Sequence, residues 1–200
     1  MSIHWDNRYA QTEWAYGREP NDFLAEVTAD LPRGRALCLA EGQGRNGVHL
    51  ARHGFDVTAV DQSPVGLARA HELAGAGGVT IQTQVADLLT YTIEPNAWDL
   101  ILSVWVHLLP DDRARLHTMC VNGLRPGGRL VLEAYSPAQI GRGTGGPSDP
   151  ARTMAVDDLR RELSGLDFDI LRGCERDVVE GPYHTGLASV TQVLARKPVE

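Results

Sequence analysis

Arg35-Ala-Leu-Cys-Leu-Ala-Glu-Gly-Gln-Gly-Arg-Asn-Gly-Val-His-Leu50 reads as a buried strand, a glycine-rich turn and the first turn of a helix. Ala36 to Ala40 are apolar and bounded by turn residues, as a central parallel strand requires. Gly42, Gly44 and Gly47 follow in the spacing G-x-G-x-x-G, which suits a sharp turn with a ligand close to the backbone. The helix beyond points free N–H groups and its positive dipole end at that turn. A second apolar run, Phe55 to Val60, ends at Asp61, 19 residues after Gly42. An acid at the tip of a second strand can take both hydroxyls of a ribose. Strand, turn, helix, strand and acid in this order indicate an α/β fold that binds an adenosine-type cofactor.

A chain of 200 residues is long enough for one domain with a substantial core. The net charge of −7 comes with no basic patch, which argues against nucleic acid as a partner. The three cysteines, Cys38, Cys120 and Cys174, stand far apart with no C-x-x-C. That spacing fits a reduced chain with no disulfide framework and no metal site, and Cys38 reads as a small core residue. The first residues lack an apolar signal-peptide core, and no apolar run approaches a membrane-spanning length. A cytoplasmic protein, without a membrane partner, is the expectation.

Aromatic residues crowd the beginning of the chain, at Trp5, Tyr9, Trp14 and Tyr16. Trp5 and Tyr9 are four apart and share a helical face, either packed on the core or closing over a ligand. Asn21 or Asp22 is placed to cap a helix from Phe23 to Leu31. After the glycine turn, Asn46 to His53 is predicted as helix, ended by Gly54. Ser63 and Pro64 open the next helix as N-cap and first residue, and Gly75 to Gly78 closes it. Val79 to Val85 alternates as a third strand, ending at Ala86-Asp87-Leu88. Asp87 there can reach an adenine amine or cap a helix.

Trp98 to Leu109 is almost wholly apolar and reads as a doubly buried fourth strand, with Ser103 and its successors at the carboxyl edge. A helix from Asp111-Asp112, a turn at Arg125 to Gly128 and a fifth strand from Arg129 to Tyr135 follow. Ser136 to Asp149 holds four glycines and two prolines around Arg142 and is predicted as a mobile loop at that edge. Ala155 to Leu163 is predicted as helix. Asp167 to Arg172, Asp177 to Val179 and Gly186 to Arg196 read as strands without intervening helices, which implies an antiparallel hairpin.

Together these pieces resemble the class I S-adenosylmethionine-dependent methyltransferases over essentially the whole chain. The resemblance rests on Leu37 to Asn46, Asp61, Ala86-Asp87-Leu88, Trp98 to Leu102, Leu124 to Gly128 and the closing hairpin. Trp5-Asp-Asn-Arg-Tyr9, Gly44-Arg-Asn46 and Glu180-Gly-x-Tyr-His-x-Gly186 look like the small bacterial branch related to tellurite-resistance and thiopurine methyltransferases. The resemblance implies a Rossmann-like three-layer sandwich. Its mostly parallel seven-stranded sheet would run in the order 3-2-1-4-5-7-6 with strand 7 antiparallel. One domain over 1–200 would comprise a helical lid (1–34), a cofactor-binding core (35–135), a mobile loop (136–152) and a helix with the closing hairpin (153–200).

The cofactor implied is S-adenosyl-L-methionine, lying across the carboxyl ends of strands 1 and 4. Gly42 and Gly44 would admit it, with Asn46 in the same turn. Asp61 would bind the ribose, Gln62 would flank the adenine, and Ala86, Asp87 and Leu88 would bracket it. Ser103 and Val104 would line the methionyl end, and Trp5 and Tyr9 would close the site. The turn departs from the usual pattern, because Cys38 stands where an acid is common and Ala40 replaces the first glycine. Glu41 can instead meet the cofactor's ammonium group.

Methyl transfer from a sulfonium is an in-line displacement that depends on alignment and exclusion of water. A soft acceptor, such as a thiol or a selenium or tellurium species, needs little help from a base, whereas an amine or hydroxyl needs one. His107, Tyr183 and His184 are the catalytic candidates, and Arg142 can clamp an anionic acceptor. Two other readings share part of the pattern: an NAD-dependent oxidoreductase, and a protein that senses S-adenosylmethionine without turning it over. A small-molecule acceptor and a monomer or weak homodimer complete the expectation.

Overall fold

The computed structural model describes residues 3–199, so the two ends of the domain expected over 1–200 lie outside the described residues. Seven strands form one sheet: β1 (Arg35–Leu39), β2 (Asp56–Asp61), β3 (Gln82–Val85), β4 (Trp98–Val104), β5 (Leu124–Tyr135), β6 (Asp167–Val179) and β7 (Thr185–Arg196). Their order is β3-β2-β1-β4-β5-β7-β6. β1 to β5 run parallel, and β7 runs antiparallel to both β5 and β6. This is the order implied by the resemblance.

Among the described residues, six α-helices flank the sheet: α1 (Ile3–Gln11), α2 (Asp22–Val27), α3 (Arg45–Arg52), α4 (Pro64–Ala76), α5 (Pro110–Gly123) and α6 (Val156–Glu162). The sheet is buried on both faces, so its central strands carry apolar residues in unbroken runs. Ala36 and Cys38 of β1 face a core built with Phe23, Leu24, Val48, Leu67 and Leu73 from α2, α3 and α4. Leu37 and Leu39 face the opposite core, with Leu116 and Cys120 from α5 and Leu159 from α6. Among the described residues, no helix is long and apolar enough to cross a membrane.

Local signals account for several boundaries. Asn21 caps α2, its Oδ1 accepting from the Leu24 N–H at 3.1 Å. Ser63 Oγ accepts from the Gly66 N–H at 3.1 Å, and Pro64 opens α4. Other boundaries move. α2 is six residues long and passes into a 3-10 turn at Thr28–Asp30. β5 begins at Leu124, because Leu124 pairs with Trp98 across an irregularity that absorbs the expected turn. The two short strands expected at 167–172 and 177–179 are one, β6, paired with β7 along its whole length. Its residues between Gly173 and Arg176 alternate like those of a strand with one solvated face, which hides their continuity from a reading based on apolar runs. Pro137–Gln139 forms a 3-10 turn inside the segment expected to be loop.

Candidate active site

The first residue beyond β1, Ala40, has φ +49°, and the first beyond the adjacent β4, Trp105, has φ +59°. A side-chain-bearing residue in the left-handed region is costly and marks places where the surroundings over-determine the backbone. Here both lie at the carboxyl edge, on neighbouring strands, and both line a cavity of about 590 Å³. That size suits a nucleoside-containing ligand with a small second molecule.

The glycine turn forms the floor. A Cβ on Gly42 (φ +60°) would stand 2.5 Å from Tyr9 Oη, and one on Gly44 (φ +91°) would stand 2.7 Å from Ala70 Cα. Gly42 therefore seats the aromatic roof, while Gly44 lets the turn lie against α4. Glu41 Oε1 accepts from the Gly47 N–H at 2.6 Å and so caps α3. Burial raises the Glu41 carboxyl to about 7, against the hydrogen bonds from Gly47 and Asn46 and the charge of Arg45.

Asp61 receives the Gly42 N–H on Oδ2 and the Ser63 N–H on Oδ1, each at 2.8 Å. The Gln62 N–H interacts with it as well, and the lone-pair capacity that remains can still accept from a ligand hydroxyl. Burial raises the pKa of Asp61. Gln62, Ala86, Asp87 and Leu88 continue the wall beyond β2 and β3. Asp87 caps no helix: its Oδ1 accepts from the Leu89 N–H at 2.9 Å within a turn that follows β3, and the residue keeps its place on the wall.

The roof comes from α1 and the turn after it. Trp5 and Tyr9 stack at 6.0 Å. The Arg8 guanidinium lies over the rings of Trp5 and Tyr183 and donates to Tyr16 Oη at 2.8 Å. The far wall holds Val104, Trp105, His107, Tyr183 and His184. Burial holds His107 down at about 4 and His184 at about 3, so both imidazoles are neutral near pH 7.

Three expected residues lie elsewhere. Gly44 is under the turn, against α4. Ser103 is 2% exposed and sits within the β1–β4 pairing, one residue short of the edge, so Val104 and Trp105 take its place. Arg142 donates to Glu175 and to the Ala138 carbonyl, away from the cavity. Its loop is fastened by buried Gln139, which accepts from the Ser189 N–H at 2.9 Å and donates to Thr144 Oγ1 and the Gly145 carbonyl. That loop brings Gly145 and Gly146 to the cavity instead.

Sequence reasoning missed the buried ionic cluster behind the wall. Glu180 accepts from Arg45 at 2.5 Å, Arg176 at 2.7 Å, Trp105 Nε1 at 2.7 Å and Asn21 at 2.9 Å. Glu133 accepts from Asn21, Arg176 and Gln192. Among the described residues there is no group of side chains arranged to hold a metal.

Residues 36–128 match the family model described as a methyltransferase domain. A ubiquinone biosynthesis O-methyltransferase of Xanthomonas campestris pv. campestris is 31% identical over 118 residues, covering 58% of this chain. The chain spans about half the length of that relative, 48%. TehB from Haemophilus influenzae superposes with a TM-score of 0.75 at 20% identity, over 88% of this chain and 62% of that one. A structure from work on conversion of a disulfide bond into a thioacetal group during echinomycin biosynthesis gives 0.77 at 21%, over 99% and 92%. N-methyltransferase NodS from Bradyrhizobium japonicum WM9, in complex with S-adenosylhomocysteine, gives 0.68 at 18%, over 88% and 84%. The fold is that of S-adenosylmethionine-dependent methyltransferases.

Proposed function

We propose that this chain transfers a methyl group from S-adenosylmethionine to a small-molecule acceptor. The observation that carries the reading is that Glu41 and Asp61, at the tips of β1 and β2, line one cavity with the glycine turn and the aromatic roof. The match of residues 36–128 to the methyltransferase domain supports it. The residues fit the cofactor by their chemistry. Asp61 has lone pairs left for ribose hydroxyls, Glu41 offers a carboxylate to an ammonium group, and Trp5 and Tyr9 offer flat apolar surface.

When bound, the cofactor supplies a methyl group already made electrophilic by the sulfonium. The protein's part is to orient the partners and exclude water. Gly42 and Asp61 fix the floor, the Trp5–Tyr9 pair closes the top, and the β4 edge presents the acceptor wall. A thiol, or a selenium or tellurium species, is the acceptor class in this reading, because soft nucleophiles react without a strong base. A cytoplasmic protein, monomeric or weakly dimeric, belongs to the same reading.

The test is calorimetric titration of the protein with S-adenosylmethionine, S-adenosylhomocysteine and NADH, with Asp61→Asn beside it. Micromolar binding of the two sulfur nucleotides, weakened in the variant, and none of NADH is expected. Binding of NADH alone would return the chain to the oxidoreductases. Binding without turnover of any thiol, selenide or tellurite would favour a sensor.

A further inference from the structure

Three buried polar atoms have no hydrogen-bond partner among the described residues: Nε2 of His107 and Nδ1 of His184, two residues that line the cavity, and Oη of Tyr135, packed behind them. They belong to one aromatic cluster. The Tyr135 ring lies 5.6 Å from that of His107 and 5.3 Å from that of His184, with Trp105 stacked on it at 4.4 Å. Buried polar atoms are ordinarily paired, because leaving one unpaired forfeits its hydration without return. Three together, beside a cavity, point to a ligand that answers them.

The tautomer of His107 can be assigned. Its Nδ1 lies 3.0 Å from the Arg152 carbonyl oxygen, which can only accept. Nδ1 therefore carries the proton, and Nε2 is a bare lone pair. Tyr135 Oη keeps its proton, since burial first and then Glu180 hold its pKa well above the usual phenol value. A lone pair and a hydroxyl donor thus stand in one cluster. Gly145 and Gly146 (φ +113° and +93°) lie directly over Tyr135; a Cβ on either would come within 2.8 Å of that ring or its hydroxyl. Gly145 and Gly146, which line the cavity, thus lie between it and the buried Tyr135.

We propose that Tyr135, His107 and His184 form the acceptor subsite, and that it takes a protic acceptor (a thiol, selenol or hydroxyl) whose X–H donates to His107 Nε2 while Tyr135 Oη donates to the acceptor's heteroatom. This rests on the methyltransferase reading; it requires a proton on the acceptor's heteroatom and admits a hydroxyl beside the soft acceptors. An oxyanion or a thioether has no proton for His107, and an anion is repelled by its lone pair. The acceptor's heteroatom forms the bond to carbon, its proton passes to His107 Nε2, and the electron pair of the broken C–S bond stays on sulfur. A neutral thioether, the methylated acceptor and an imidazolium result. The imidazolium then returns its proton to solvent.

The experiment titrates benzenethiol and phenol into protein saturated with S-adenosylhomocysteine, beside thermal melts and initial methylation rates. Tyr135→Phe is expected to keep S-adenosylhomocysteine affinity and to melt higher, because it removes an unpartnered buried hydroxyl, yet to bind both probes about five- to tenfold more weakly. His107→Gln is expected to keep S-adenosylhomocysteine affinity and lose about a hundredfold in kcat with phenol, and less with benzenethiol, which ionises more readily. The proposal is overturned if neither probe binds the native protein or if both variants behave as it does. Faster methylation of dimethyl selenide, which has no such proton, than of either probe would also overturn it. Failure of the native protein to bind S-adenosylhomocysteine would overturn the parent reading as well.

Discussion

Trp105 donates its indole N–H to Glu180 Oε2 at 2.7 Å, so the residue that turns the chain at the end of β4 is tethered to the loop between β6 and β7. The same oxygen accepts from Arg45, at the start of α3. One carboxylate thereby sets the spacing between the glycine turn and the far wall of the cavity. Burial opposes its charge, but Arg45 and Arg176 and the Trp105 hydrogen bond outweigh that and hold its pKa low.

Glu180→Ala is expected to destabilise the protein by about 3–5 kcal/mol, because it strands the buried Arg45. Glu180→Gln keeps the shape and part of the hydrogen bonding and should cost less. Urea denaturation of the two variants would check the order; equal and small losses would show that the cluster is not an obligatory unit.

Gly42→Ala and Gly54→Ala separate packing from backbone strain. Both positions have positive φ, yet an added Cβ meets Tyr9 only at Gly42 and meets nothing within 4 Å at Gly54. Each should lose about 1–2 kcal/mol for the left-handed conformation. Gly42→Ala alone should also displace Tyr9 and weaken binding of S-adenosylhomocysteine at least about tenfold, as read by calorimetry.

The raised pKa of Glu41 gives two linked pH dependences. Its folded value of about 7 stands above the ordinary 4.5, so the stability it contributes is complete below 4.5 and is lost as pH rises to about 7. Melting temperatures of the native protein should therefore fall relative to Glu41→Gln across that window. If the carboxylate meets an ammonium group, cofactor binding should also release protons near pH 6 and tighten toward pH 8. Calorimetry in buffers of different ionisation enthalpy would detect the release.

Gln139→Ala should unfasten the glycine loop, since this one buried amide holds Ser189, Thr144 and Gly145. The expected outcome is a higher KM for the acceptor with unchanged S-adenosylhomocysteine affinity, and faster proteolysis between residues 140 and 148. Unchanged proteolysis would mean that other contacts hold the loop.

Arg142→Ala should leave the acceptor kinetics untouched. Its partner Glu175 is on the surface, and such ion pairs contribute about 0–1 kcal/mol. A marked rise in KM would return Arg142 to the acceptor site.

The sheet was legible because Ala36–Ala40, Phe55–Val60 and Trp98–Val104 are bounded apolar runs, and burial on both faces leaves no other pattern. Asp61 was legible because its distance from Gly42 follows from one helix and one strand. Arg142 misled because a cation in a glycine-rich loop looks free, and its partner Glu175 lies 33 residues on, beyond α6 and on β6. Tyr135 was hidden for another reason. It closes an apolar strand as any core aromatic does, and only the backbone lying over it shows that its hydroxyl is unanswered. The cluster of Glu133 and Glu180 had one available signal, a carboxylate set inside the apolar run Leu130 to Tyr135.

The same cluster also bears on how the protein folds. Asn21 meets Glu133 and Glu180 across 112 and 159 positions, and Arg45 meets Glu180 across 135. Contacts so remote in sequence form late, after the nearer pairings have paid the entropy of closing the chain. A folding chain that has built β1 to β5 but has not yet docked its final hairpin carries Arg45 unneutralised and Trp105 untethered. It would thus own a glycine turn without the far wall of the cavity, and the two sides of the cavity come together in one late event.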